Sequence, residues 1–183
     1  MRIIAGKYGS RRITTLSGDN TRPTLDKIKE ALFSSIGPYF DGGKMLDLFG
    51  GSGAVAFEGL SRGIDEAVIC DNNPGALKVI QDNLKTLDLK HQVRLIKQDY
   101  RMALKQLSDE QFDFIYIDPP YALKVHEMVL EWLNEHNMLR DSGVVTVETA
   151  KEDSFKESYG ALIKQRERVY GITRITYFRK EHL

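Results

Sequence analysis

From Lys44 onward, apolar and polar positions follow a strand-then-helix rhythm. Short, mostly apolar runs bounded by turn-forming residues predict strands at 44–48, 66–71, 93–97, 112–118 and 143–148. Between them, apolar residues at three- and four-residue spacing predict helices at 54–62, 74–85, 101–107 and 124–135. Asn73-Pro74 reads as an N-cap followed by the first helical residue. Strands alternating with helices imply a mostly parallel sheet with helices on both faces, an α/β fold. The stretch 160–179 is different. Tyr170, Ile172, Ile175, Tyr177 and Phe178 favour strand and show no helical period, and Gly171 breaks the run. A C-terminal antiparallel hairpin is expected there.

The first part of the chain has another style. Arg2–Ala5 and Arg11–Leu16 predict two short strands around a Gly6–Ser10 turn, an N-terminal basic β-hairpin. Residues 17–20 read as a loop. Thr24 reads as the N-cap of a helix with Leu25, Ile28, Leu32 and Ile36 on one face, ended by Gly37-Pro38. The expected organisation is one domain over 1–183, with 1–20 as an appendage and 21–183 as the catalytic core.

Composition narrows the class. The chain has 42% hydrophobic and 28% charged residues, ordinary for a globular protein. It has no apolar run of membrane-spanning length, and its first residues carry charge where a signal peptide needs apolar ones. Its single cysteine, Cys70, excludes an internal disulfide and suits a reducing, cytoplasmic setting. The four histidines show no ligand-like spacing with Cys70, so no metal is expected. Net charge is zero but unevenly spread: residues 1–29 carry +5, residues 30–150 carry −8 and residues 151–183 carry +3. Basic ends on an acidic body fit a polyanion gripped at one edge, although charged ends also simply keep a protein soluble.

Candidate chemistry gathers at the strand ends. Asp47, Asp71, Asp99 and Asp118 each close a predicted strand, and ligands of α/β folds bind at those ends. Gly50, Gly51 and Gly53 follow the first strand, where glycine lets backbone approach a ligand. This loop also fits a loose dinucleotide fingerprint, with Asp71 placed for a ribose. Asp47 argues for another cofactor: a carboxylate there would repel a pyrophosphate and suit a cationic amine such as the amino-acid end of S-adenosylmethionine. Asp71 would accept from ribose hydroxyls. Asp99 could accept from an adenine amine or cap the helix that follows.

Asp118-Pro119-Pro120-Tyr121 ends the apolar run 112–117. An exocyclic base amine is a weak nucleophile because its lone pair is delocalised into the ring. Asp118 can accept one of its hydrogens and the Pro119 carbonyl the other, which draws the nitrogen toward tetrahedral geometry. Pro120 stiffens the turn, and Tyr121 offers a face for the base. Such a site works through positioning and preset electrostatics. A structured substrate would first have to turn the base out of its stack.

These residues resemble the class I S-adenosylmethionine-dependent methyltransferases with their Rossmann-like fold. More narrowly, the chain resembles the bacterial 16S rRNA guanine-N2 methyltransferases. The similarity runs through Arg2–Gly6, Arg22-Pro23-Thr24 with Lys29–Phe33, Asp47–Ala54, Ser61-Arg62-Gly63 and Asp118–Tyr121. The resemblance implies that Asp47, Phe49, Gly51, Gly53, Asp71, Asn72, Asp99 and Tyr100 line the cofactor, and that Asp118–Tyr121 hold the guanine. It implies that Arg2, Lys7, Arg11 and Arg12 contact RNA phosphates, and that Arg22, also an RNA-binding residue, closes with Thr24 over the cofactor or target. It implies a monomer acting on the small ribosomal subunit or its assembly intermediates. Two positions depart from the family pattern. Gly50 replaces a usual alanine, expected only to loosen the loop, and Lys29 replaces a usual arginine.

Four rival readings remain open. A DNA or other-RNA amino-methyltransferase acting on adenine N6 or cytosine N4 would normally bring a target-recognition domain. A protein-glutamine methyltransferase typically has Asn at position 118. An NAD(P)-binding oxidoreductase should show a Tyr-Lys or His arrangement, which is missing here. A non-catalytic RNA-binding module would have no use for an intact Asp118–Tyr121.

Overall fold

In the computed structural model, residues 1–16, 22–120 and 122–180 are described. The chain divides into two compact units, Met1–Tyr100 and Arg101–Leu183.

The first unit opens with an irregular segment and helix α1 (Arg22–Ile36), then runs β1 (Lys44–Asp47), α2 (Ala54–Ser61), β2 (Glu66–Cys70), α3 (Pro74–Leu87) and β3 (Val93–Ile96). Helix α4 (Tyr100–Gln106) begins at its last residue. The three strands are parallel in the order β3-β2-β1, with Asp47 paired to Ile69 and Cys70 to Ile96. A helix that carries the chain back between two neighbouring strands leaves them parallel. Both faces of the strands are covered, so Met45, Leu46, Ile69 and Cys70 are fully buried. Asn73 caps α3 as expected, its Oδ1 accepting the N–H groups of Gly75 (2.8 Å) and Ala76 (3.1 Å) ahead of Pro74 at the first turn.

The second unit contains β4 (Phe112–Ile117), α5 (His126–Glu135), β5 (Leu139–Ala150), β6 (Ser158–Tyr159), β7 (Leu162–Tyr170) and β8 (Thr173–Lys180). Its strand order is β4-β5-β8-β7-β6. β4 and β5 are parallel, and the remaining pairs are antiparallel. The expected α/β class with an antiparallel C-terminal hairpin is therefore present. β5 is longer than predicted. It starts at Leu139, and the register slips before Phe114 meets Val144, so polar residues 140–142 lie within the strand.

Two expectations change at the N-terminus. The basic hairpin is reduced to a single antiparallel bridge, Arg2 to Arg12. Its ladder stops because the next amides turn elsewhere: Ile4 and Ala5 donate to the Glu58 carboxylate at 2.8 and 3.2 Å. Thr24 does not cap α1, which already begins at Arg22. Pro23 suits a first helical turn, whose N–H groups have no helical partner to lose. The loop expected at 17–20 lies outside the described residues.

Among the described residues, no helix is long and apolar enough to cross a membrane.

Candidate active site

The residues expected on the cofactor side all lie within the first unit. Asp47 ends β1 with only 1% of its surface exposed. Phe49 follows, its ring centroid 5.4 Å from that of Tyr100 at a tilt of 37°. Gly50 then closes on β2, donating its N–H to the Cys70 carbonyl at 2.8 Å. A Cβ on Gly50 would stand 2.4 Å from Ile69 Cγ2. Glycine at this departure from the family pattern thus fits the loop tightly against β2 rather than merely loosening it. At Gly51 the backbone takes φ +60°, and a Cβ there would meet nothing within 4 Å. This is an open backbone surface of the kind a ligand can approach. Gly53 stands at the N-cap of α2.

Asp71 joins the glycine loop to the start of α3, within the same unit. One of its oxygens accepts the Gly51 N–H at 2.9 Å and the other accepts the Asn73 N–H at 2.8 Å. Each oxygen retains a further lone pair, so this double clasp is compatible with a ribose contact and sets the carboxylate's orientation beforehand. Asn72 beside it is exposed. Asp99 directly precedes α4, the position from which it could cap the helix, and both it and Tyr100 are half-buried. The first unit therefore brings Asp47, Phe49, Gly51, Gly53, Asp71, Asn72, Asp99 and Tyr100 onto the C-terminal ends of its three parallel strands and the turns that follow them. Burial and the nearby Asp47 charge push the Cys70 thiol far above its ordinary range, which fits a packing role.

The basic segment belongs to the same unit. Ile3 and Ile13 turn inward, 0% and 4% exposed, while Arg2, Lys7, Arg11 and Arg12 are exposed. Arg11 is partly committed, since it donates to the Thr86 carbonyl at 2.8 Å. Lys7 stands 5.4 Å over the Tyr8 ring. The segment is docked on the end of α2. Ser61 Oγ accepts from Tyr8 N–H (2.9 Å) and donates to the Ala5 carbonyl (2.6 Å), and the Ser61 carbonyl accepts from Lys7 N–H (2.8 Å). Gly6 lies so close that a Cβ on it would fall 1.9 Å from the Ser61 oxygen. Lys29 serves the same docking, donating to the Arg2 carbonyl at 2.5 Å and pairing with Glu58 at 3.3 Å. The side chains of residues 22–24, Arg22 included, lie outside the described residues.

The second unit carries the other motif. β4 is buried from Phe114 to Ile117, and Asp118 emerges exposed at its end. Pro119 is buried and Pro120 exposed, with the Pro120 carbonyl accepting the Leu123 N–H at 2.8 Å. That bond and the two prolines fix the turn. Tyr121 lies outside the described residues. Two neighbours escaped the sequence reading. Tyr116 donates its hydroxyl to Glu148 and stands 3.4 Å from Asp118 Oδ2. Glu148 is half-buried as a residue but its carboxyl sits deep, and loss of water pushes its pKa up against the Tyr116 hydrogen bond. Two signals pointed to them: Tyr116 is two residues from Asp118, hence on its face of the strand, and Glu148 is a lone charge in an apolar run.

Residues 1–179 match a protein family described as "Conserved hypothetical protein 95". The chain belongs to the Conserved hypothetical protein 95 family. Relatives of this family member include "Putative rRNA methyltransferase YlbH" of Bacillus subtilis, 37% identical over 98% of this chain and 99% of the relative. "Ribosomal RNA small subunit methyltransferase D" of Haemophilus influenzae is 34% identical over 83% and 80%. Among solved structures, "Putative methyltransferase yhhF from Escherichia coli" superposes with a TM-score of 0.85 at 26% identity, over 100% of this chain and 99% of that one. The Conserved hypothetical protein 95 chain is thus a class I methyltransferase, and the cofactor of that class is S-adenosylmethionine. The open backbone at Gly51, the preset Asp71 carboxylate and the buried Asp47 fit that molecule's ribose and ammonium groups.

Proposed function

We propose that this chain methylates the exocyclic N2 amine of a guanine in the RNA of the small ribosomal subunit. The observation that carries the reading is Asp118: an exposed carboxylate at the end of a buried strand, held by two prolines, in a chain whose relatives are named for small-subunit rRNA methylation.

Bound S-adenosylmethionine supplies an electrophilic methyl group. The rest falls to the chain's own residues. Asp47 faces the cofactor's ammonium, Asp71 accepts from its ribose and Asp99 from its adenine amine. Phe49, Gly51, Gly53, Asn72 and Tyr100 complete its contacts. Asp118 and the Pro119 carbonyl take the two amine hydrogens of guanine, freeing the nitrogen lone pair. Pro120 holds the turn and Tyr121 stacks on the base. Arg2, Lys7, Arg12 and the free donors of Arg11, together with Arg22, grip phosphates without reading sequence. It acts in this reading as a monomer on the small subunit or an assembly intermediate, in the cytoplasm.

The test is methyl transfer from labelled S-adenosylmethionine to small subunits lacking the modification, followed by digestion to nucleosides. Label in N2-methylguanosine is expected. Label in N6-methyladenosine or N4-methylcytidine would keep the enzyme class and overturn the choice of base. No label in RNA would overturn the substrate.

A further inference from the structure

The parallel register of β4 and β5 pairs Tyr116 with Thr146 and Ile117 with Val147. One step beyond stand Asp118 and Glu148. Residues two apart on a strand share a face, as do paired residues of parallel strands. Tyr116, Asp118 and Glu148 are thereby set on one side, with the Tyr116 hydroxyl touching Glu148 and 3.4 Å from Asp118 Oδ2. Tyr116 is 5% exposed, whereas Asp118 faces solvent.

A phenol has one hydrogen and can accept as well as donate. With Glu148 ionised, the hydroxyl donates to Glu148. With Glu148 protonated, the carboxyl donates to the Tyr116 oxygen and the hydroxyl hydrogen is free to turn to Asp118. The trio therefore has two hydrogen-bond patterns that differ by one proton.

We propose that Tyr116 and Glu148 are positioning residues for Asp118 that also carry away the proton released when the target amine is methylated. The inference rests on the amino-methyltransferase reading above. As the amine nitrogen bonds to the methyl carbon, the carbon–sulfur bond breaks and its electron pair stays on sulfur, which becomes a neutral thioether. The nitrogen is left with a positive charge and one hydrogen too many. Asp118 takes that proton. It passes to the Tyr116 oxygen as the Tyr116 hydrogen moves to Glu148. After product leaves, the steps reverse and exposed Asp118 returns the proton to water. The raised pKa of the buried Glu148 carboxyl makes it a better acceptor than an exposed carboxylate would be.

The bland alternative is that the Tyr116–Glu148 bond only ties two strand ends together. Steady-state methylation of modification-free small subunits by the full chain separates them, using Glu148→Gln, Tyr116→Phe and the double variant. The relay predicts that kcat falls about tenfold to a hundredfold in each single variant. It predicts KM values within about twofold, and S-adenosylmethionine Kd, measured without turnover, equally unchanged. The double variant should be no slower than the slower single one, because residues acting as a unit are non-additive. Unchanged kcat in either single variant overturns the relay. So does a loss that is additive and follows raised KM or lowered Tm. A parent enzyme that labels no substrate overturns the amino-methyltransferase reading itself, and is told apart because it fails before any variant is compared.

Discussion

Lys29 and Glu58 form an ion pair at 3.3 Å with side chains only 3% and 0% exposed. Glu58 is shared further: Arg62 donates to it at 2.8 Å, and so do the Ile4 and Ala5 amides. Burial pulls the Lys29 pKa below its ordinary value while Glu58 opposes that pull. Glu58→Ala should therefore cost about 3–5 kcal/mol, since it strands two buried cations. Denaturant unfolding measures this. A loss near that of an exposed pair would mean that the cluster is hydrated.

Asp118→Ala should leave S-adenosylmethionine affinity within about twofold and lower kcat by about a hundredfold or more, the usual scale for removing a preset polar group. Calorimetric binding beside a methyl-transfer assay checks both. Full turnover in the variant would remove Asp118 from the chemistry.

Gly51→Ala places a methyl group on the open backbone surface at φ +60°. The left-handed conformation costs about 1–2 kcal/mol of stability. Cofactor affinity should fall about tenfold, which corresponds to about 1.4 kcal/mol. Thermal unfolding with and without cofactor separates the two effects, because only the second reduces the ligand-induced rise in Tm.

Arg12→Ala should weaken RNA binding most at low salt and reduce the slope of log K against log salt by about one. Arg11→Ala should change the slope by less, since part of its guanidinium is already committed to the Thr86 carbonyl. Filter binding across a salt series gives both slopes. An unchanged slope for Arg12→Ala would remove it from the RNA contact.

His126 is 8% exposed with its ring edge-on to Phe155 at 5.9 Å, and burial lowers its pKa although Asp153 opposes this. The folded protein thus takes up this proton less readily than the unfolded chain. Stability present above the ordinary histidine value of about 6.5 should fall as pH drops below it. His126→Leu should flatten the dependence of Tm on pH between about 7.5 and 5.5. An equally steep dependence in the variant would assign it to other groups.

Much of this architecture is legible from local pattern. The strand–helix units from Lys44 onward came through because each carries its own period and caps, as at Asn73-Pro74. The N-terminal segment came through only in part, because the amides of Ile4, Ala5, Lys7 and Tyr8 are satisfied by Glu58 and Ser61, more than fifty residues away in sequence. The resemblance singled out Arg2–Gly6 and Ser61-Arg62-Gly63 separately; only the fold reveals that they touch. Asp118 stood out by its prolines, while Tyr116 and Glu148 passed as ordinary strand residues until β4 and β5 were paired in register.

Helix α2 begins at Ala54, capped by Gly53 of the glycine loop, and ends at Ser61, on which the basic segment is docked. Its eight residues set a span of about 12 Å between the loop and the dock. The helix is therefore a gauge. Adding one residue to it would swing Ser61 by about 100° and carry Arg2 and Arg12 off their bearing. Two surfaces with separate chemistries thus share one length, and a change in that length cannot be absorbed by either surface alone.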